Sequence, residues 1–399
     1  MDKRVALVIG ATGTIGSAIT KALIAANGWR VLATTRRTEP GLPDGVTPLV
    51  VDVLDRDALR AALATHSVTH VFYAALFSNP RTRRPREFDE MRRLLGLIGK
   101  MYRTLGWIPG LRGQILKAIA LNSASQTPGN ENERMFENVL AIVEASPHRL
   151  QHVGLVTGGK TYGMHLTPYV YPDWRELMRE DTPRAPGPNF YYNQEDRLAE
   201  GARTCGYSYT ISRPPFVIGF ADSVSFSVLS SLAVYAALLK EQGRPLIFPG
   251  DVAAANNVYN WCDAEQIAAL HLWAVEQPRA HNEAFNVDND DPQPFRTLWP
   301  RIADALEMTP EFREQGFKVT AFMREHRHRW PQIVAAHDLQ DISYARMTSD
   351  DQMAILVMHD WDMRYDLRKL RAAGFTRRVD SAEMFDRWIT RLRRWRVIP

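Results

Sequence analysis

The sequence predicts an α/β protein: a doubly wound parallel sheet that passes into a mostly helical C-terminal part. Three observations predict it. The apolar run 5–9 breaks into glycines at every third position, Gly10, Gly13 and Gly16. Strand-like runs then alternate with helical patterns, the arrangement that buries a parallel sheet between two helix layers. Two arginines, Arg36 and Arg37, close the second strand about 20 residues after the glycines.

Each part of the first unit has a physical role. Gly10 permits a tight turn, Gly13 lets backbone N–H groups approach a pyrophosphate, and Gly16 lets the helix lie close on its strand. Thr12, Thr14 and Ile15 belong to the same cradle, where the helix N-terminus offers partial positive charge to phosphates. The glycines alone also fit an ordinary strand-to-helix turn. Arg36 and Arg37 add chemistry: an NAD-binding protein places an acidic residue there, whereas two planar guanidiniums suit the 2′-phosphate of NADP. Two solvated arginines at a strand end are the alternative. The expected cofactor is NADPH.

At 399 residues the chain can bury a large core, divided here into an expected cofactor-binding part, 1–220, and a substrate-binding part, 221–399. A net charge of +4 is a small excess, so nucleic acid is not an expected partner. Cys205 and Cys262 lie far apart, outside any paired-ligand spacing, and predict neither a disulfide framework nor a metal site. A cytoplasmic setting follows as the simpler expectation. The first apolar run is too short for a signal core, and no continuous apolar stretch reaches the roughly 18 residues of a spanning helix.

A third strand, 46–51, ends at Asp52 and Val53, candidates for the adenine. The fourth, 68–75, carries Tyr73 and Ala74 toward the nicotinamide half. From 80 to 120 basic residues interleave with leucines at helical spacing, predicting a basic amphipathic helix pair broken at Pro109-Gly110. Such a segment suits an anionic membrane surface, a lid over the active site or a homodimer contact. An amphipathic helix over 132–145 leads to a strand, 152–156, ending in Thr157-Gly-Gly-Lys160-Thr-Tyr162. The string Asn189-Phe-Tyr191-Tyr192-Asn-Gln-Glu195-Asp196 opens a helix, and a strand over 207–212 leads to Arg213-Pro214 and to Val217 and Ile218, further cofactor candidates. Helical faces over 226–239, 264–275 and 295–306 follow, with one strand at 284–287. The ten tryptophans read mostly as packing residues.

A short-chain dehydrogenase normally pairs tyrosine and lysine one helical turn apart. Here Glu195 stands at that spacing after Tyr191, and Asp196 after Tyr192. The one match, Tyr365 with Lys369, lies far past the cofactor half and reads as coincidence. The motifs around Lys160 and Tyr191 instead resemble TGxKxY and NFYYxxED of the progesterone 5β-reductase/iridoid synthase group, atypical members of the extended short-chain dehydrogenases with a Rossmann fold. The resemblance extends from Gly10 to the terminal Val397-Ile-Pro399. It implies NADPH-dependent reduction of the C=C bond of an enone, with Lys160 and Tyr191 in the catalytic roles and Tyr192 as packing. An enolate forming on the substrate oxygen is then stabilised by the Tyr191 hydroxyl, whose pKa the ammonium lowers. Gly163-Met164-His165-Leu166, Ala74-Ala75-Leu76-Phe77 and the long segment 80–120 depart from the group's pattern, which leaves steroid or iridoid specificity open. His165 is either a substrate donor or a solvent-facing loop residue. The competing expectations are a carbonyl reductase or epimerase of the extended short-chain class, or a non-catalytic NADPH-binding regulator.

Overall fold

The computed structural model describes residues 4–36, 41–77, 86–105, 107–108, 110–111, 114–115, 130–164, 177–185, 187–221, 227–357 and 361–399. Among them the main sheet has seven strands: β1 (Arg4–Ile9), β2 (Trp29–Thr35), β3 (Val46–Val50), β4 (His70–Tyr73), β5 (His152–Val156), β6 (Ser208–Arg213) and β7 (Glu283–Asn286). Their order is β7-β6-β5-β4-β1-β2-β3, and every pairing is parallel. The order reverses between β1 and β4, which opens a crevice at the carboxyl ends of the strands.

Alternate residues of β1 feed opposite layers, as the two-residue period of a strand requires. Val5, Leu7 and Ile9 join Phe136 and Leu140 of α4 (Glu131–Glu144) and Leu198 of α5 (Phe190–Cys205), helices that follow α1 (Thr14–Ala25), α2 (Arg56–Leu63) and α3 (Phe88–Leu105) in the chain. Ala6 and Val8 join Ile19 and Leu23 of α1 on the other face. The chain beyond residue 220 begins with α6 (Val228–Lys240), buried on all sides from 228 to 239 and the centre of a second core rich in aromatics such as Phe248, Trp261, Phe295 and Trp299. It then returns to the sheet: α7 (Ala264–Val275) places Ala268 in the α1 layer, and β7 pairs with β6. The last helices named here are α8 (Phe295–Ala305) and α9 (Ser381–Arg394).

Trp261, Trp299 and Trp330 are buried, as expected of packing residues, whereas Trp107 stands exposed. No helix among the described residues is long and apolar enough to cross a membrane, and no group of three metal-ligating side chains occurs among them. Both cysteines are free thiols.

Candidate active site

The glycine turn is tight because its backbone is crowded. Gly10 has φ of 83°, and a Cβ there would lie 2.9 Å from the backbone of Ala74, where the chain leaving β4 crosses the turn. A Cβ on Gly16 would stand 2.1 Å from the Gly10 carbonyl oxygen. The helix α1 therefore presses directly on the turn, which the Gly13 N–H closes by donating to Gly10 at 2.9 Å.

The start of α1 is prepared for an anion. Asp55, Asn130, Asp263 and Asp380 cap α2, α4, α7 and α9 with side-chain oxygens, but Gly13 offers α1 no side-chain cap, and its first turn holds no acid. The N–H groups of its first turn, which carries Thr14 and Ile15, are thus left for a phosphate. A short strand, Phe216–Ile218, pairs in parallel with Trp261–Asp263 and brings Val217 into one apolar cluster with Ile15 and Val156, while Ile218 is buried. A pocket of about 170 Å³ opens beside the turn, lined by Thr12, Lys21, Phe220 and Trp395 among others. These features fit a dinucleotide.

The remaining cofactor candidates spread along the strand ends. Arg36 is exposed at the end of β2 and has no hydrogen bond or ion pair with the described residues; Arg37 lies outside them. Asp52 is exposed and accepts from the Leu54 N–H at 2.9 Å, while Val53 is buried and its carbonyl accepts from Asn138 Nδ2 at 3.0 Å. The Tyr73 ring packs edge-on against Phe136, 4.9 Å between centroids, so its side chain belongs to the α4 layer and its backbone continues into Ala74. Thr157 is buried and held to β6, its N–H donating to the Ser212 carbonyl at 2.9 Å.

The backbones of Lys160 and Tyr191 are linked through the Asn189 side chain. Lys160, half-buried, sits in the short 3-10 turn Gly159–Tyr162 that follows β5. Asn189 caps α5 by accepting the Tyr191 N–H at 3.1 Å, and with its other amide atom donates to the Lys160 carbonyl at 2.8 Å. Tyr192, expected to be packing, is a strut: its hydroxyl donates to the Thr161 carbonyl at 2.7 Å and accepts from the Ala185 N–H at 2.8 Å. The Tyr191 hydroxyl ends up over Gly158, 3.7 Å from where a Cβ would stand on that glycine.

The protonation of Tyr191 differs from the expectation. Burial, and secondarily the Glu195 carboxylate one turn along α5, push its pKa upward, opposite to the lowering expected from the lysine. A phenol in that setting stays neutral and can donate a hydrogen bond.

Glu195 is itself ion-paired in a buried fork. Arg213 donates to its two oxygens, Nε at 3.1 Å and Nη2 at 2.8 Å, and from Nη1 to the Tyr162 hydroxyl at 3.3 Å. Tyr162 donates onward to Asn286 Oδ1 at 2.6 Å. One guanidinium therefore ties α5 to the Lys160 turn. Sequence reasoning assigned no role to Glu195 or Arg213, although both stand inside the motifs that carry the resemblance. Tyr365 also reaches this region, packing edge-on to Tyr162 and donating to the Pro214 carbonyl at 3.3 Å. Lys369 binds instead to the Ala284 carbonyl at 2.9 Å and to Glu283 at 2.7 Å, so the two form no catalytic pair. His165 lies outside the described residues.

The parallel sheet and the glycine turn define a Rossmann-fold protein of the short-chain dehydrogenase type. The description of the PRISE-like Rossmann-fold domain matches residues 99–399, and that of the NAD dependent epimerase/dehydratase family matches residues 6–92. The chain belongs to the PRISE-like Rossmann-fold domain family. It is 28% identical to the 3-oxo-Delta(4,5)-steroid 5-beta-reductase of Arabidopsis thaliana, over 99% of this chain and 93% of that one. It is 26% identical to the (S)-8-oxocitronellyl enol synthase of Catharanthus roseus, over 100% and 93%. Among solved structures, the UDP-glucose 4-epimerase of Thermus thermophilus in complex with NAD superposes with a TM-score of 0.58 at 17% identity, covering 98% of this chain and 99% of that chain, which supports the fold.

Proposed function

We propose that this chain reduces the C=C bond of an α,β-unsaturated carbonyl compound with NADPH. The observation that carries the reading is the meeting of two motifs at one strand end, the Tyr191 hydroxyl over Gly158 and the Lys160 turn beginning at the next residue. NADPH supplies a hydride, delivered to the β-carbon of the substrate. The charge this leaves on the carbonyl oxygen calls for a fixed donor, and a neutral phenol at Tyr191 is one. Lys160 adds positive field to the same oxygen, and protonation of the enolate completes the saturated product. The steroid reductase relative is named for reduction of such a bond, and the lack of an assembled Tyr-x-x-x-Lys pair weighs against a carbonyl reductase.

Arg36 supports NADPH over NADH, since it has no internal partner among the described residues and a 2′-phosphate would give it one. Thr12, Gly13, Thr14, Ile15, Asp52, Val53, Ala74, Thr157, Val217 and Ile218 are proposed to line the cofactor, with residues 1–220 holding it and 221–399 shaping the substrate side. A second copy of the chain, to be measured by light scattering, and a membrane surface are the other proposed partners. A reducing cytoplasm suits the two free thiols.

Incubation with NADPH and a small cyclic enone tests the reading. A saturated ketone is expected; an allylic alcohol would mean carbonyl reduction, and no NADPH oxidation across a broad enone panel would mean a non-catalytic binder. Replacing Arg36 and Arg37 by alanine is expected to weaken NADPH about tenfold or more while sparing NADH. Equal losses for the two cofactors would overturn the phosphate assignment.

A further inference from the structure

Among the described residues seven large apolar side chains are exposed, and four of them lie on one stretch: Leu97, Met101, Leu105 and Trp107. The first three recur every fourth residue along α3 and so form one stripe on its surface. Trp107 follows the end of the helix, its Nε1 donating to the Thr104 carbonyl at 2.9 Å, and is the most exposed of the seven at 78%.

The stripe cannot be buried by rolling the helix, because the face beside it is already used. Tyr102 is buried in the C-terminal core, and Ile98 packs against that core. The start of the helix is clamped as well: Glu87 accepts the N–H groups of Thr320 and Ala321 at 3.1 and 2.6 Å, and Asp89 pairs with Lys318 at 3.0 Å. On the flank of the stripe stand exposed Arg93 and Lys100, Arg93 reaching back to Asp89 at 3.3 Å, while exposed Arg103 lies further round the helix.

We infer that this face of α3 rests on an anionic lipid surface. Apolar side chains at helical spacing, a tryptophan at the end and cations along one flank are complementary to acyl chains below and acidic headgroups beside them. No helix among the described residues is built to cross a membrane, so the contact is a surface one. Leu97, Met101 and Trp107 enter the headgroup boundary, and Arg93 and Lys100 meet lipid phosphates or carboxylates. The inference does not rest on the reductase reading, and lipid binding is measured without substrate.

Co-sedimentation of the full chain with vesicles tests it, comparing phosphatidylcholine alone with an equal mixture of phosphatidylcholine and phosphatidylserine. The chain is expected to pellet with the acidic vesicles, far less with the neutral ones, and to be released by high salt. Leu97→Glu with Met101→Glu is expected to lower binding about tenfold or more, and Arg93→Glu with Lys100→Glu to remove the preference for acidic lipid. Both pairs are surface changes, so melting temperature and enone turnover serve as controls that the variants are folded. Failure to pellet with either vesicle would overturn the proposal, as would binding that survives both double variants. A chain that is dimeric by light scattering, becomes monomeric in the Leu97 and Met101 variant and ignores lipid would assign the face to a second copy instead.

Discussion

Asn189 is bonded to Lys160 by its side-chain amide, 2.8 Å from Nδ2 to the lysine carbonyl, while the same amide caps the helix that begins beside Tyr191. A single planar group thus joins the two proposed catalytic residues, one in the turn after β5 and the other in the first turn of α5.

Replacing Asn189 by alanine removes both bonds. The lost cap costs about 1 kcal/mol of stability, and turnover is expected to fall by more than that loss explains, since the Lys160 turn and α5 become free to shift. Replacement by aspartate keeps the cap but not the donor to Lys160. Its turnover should resemble that of the alanine variant while its melting temperature recovers; recovery of turnover as well would show that only the cap matters.

Tyr191 carries a prediction in pH. Its pKa is raised, so the phenol remains a donor through pH 10, where an unperturbed tyrosine would be half ionised. Turnover with a fixed enone should show no basic limb below about pH 10, and Tyr191→Phe should lower it roughly 10²- to 10³-fold with NADPH affinity nearly unchanged. A basic limb near pH 8 that disappears in the phenylalanine variant would mean that the lysine lowers the tyrosine after all.

The Glu195–Arg213 pair is buried on both sides, with 7% and 10% of the side chains exposed. Removing one partner strands the other charge, so Glu195→Ala should destabilise the fold by about 3–5 kcal/mol in denaturant titration. The double change Glu195→Leu with Arg213→Met, which leaves no charge behind, should recover much of that loss. A single-variant cost below about 1 kcal/mol would place the pair effectively in solvent.

Burial also holds His70 and His271 at pKa values of about 4. Both are lowered from about 6.5 in the unfolded chain, so the unfolded state binds more protons between those values. Their contribution is complete above pH 6.5 and is lost as pH falls toward 4, at most about 3 kcal/mol for each. Unfolding free energy measured from pH 7.5 down to 5 should therefore decline, and less steeply in His271→Leu. A flat profile over that range would contradict the burial of these rings.

Much of the fold was legible because its signals are local. The continuous burial of β1, the glycine turn and the helices of the C-terminal part follow from residues within a few positions of one another. The strand expected over 68–75 contracts to His70–Tyr73, since the backbone beyond it bends across Gly10, a contact the local pattern does not contain. The site was half legible. Lys160 and Tyr191 announce themselves by motif, but the roles of Tyr192, Glu195 and Arg213 depend on partners that sequence spacing does not reveal. Arg213 meets a glutamate 18 positions earlier, and Tyr162 an asparagine 124 positions later.

The sequence by itself determined the layered α/β architecture, the cradle from Gly10 to Gly16 and the identity of the two motifs, because turn geometry and apolar period are written in short spacings. Only the tertiary structure decided that Asn189 joins those motifs, that Tyr191 is held protonated and that the apolar stripe of α3 faces outward. Those outcomes depend on desolvation and on which surfaces are already occupied, and both are properties of neighbours brought together by folding.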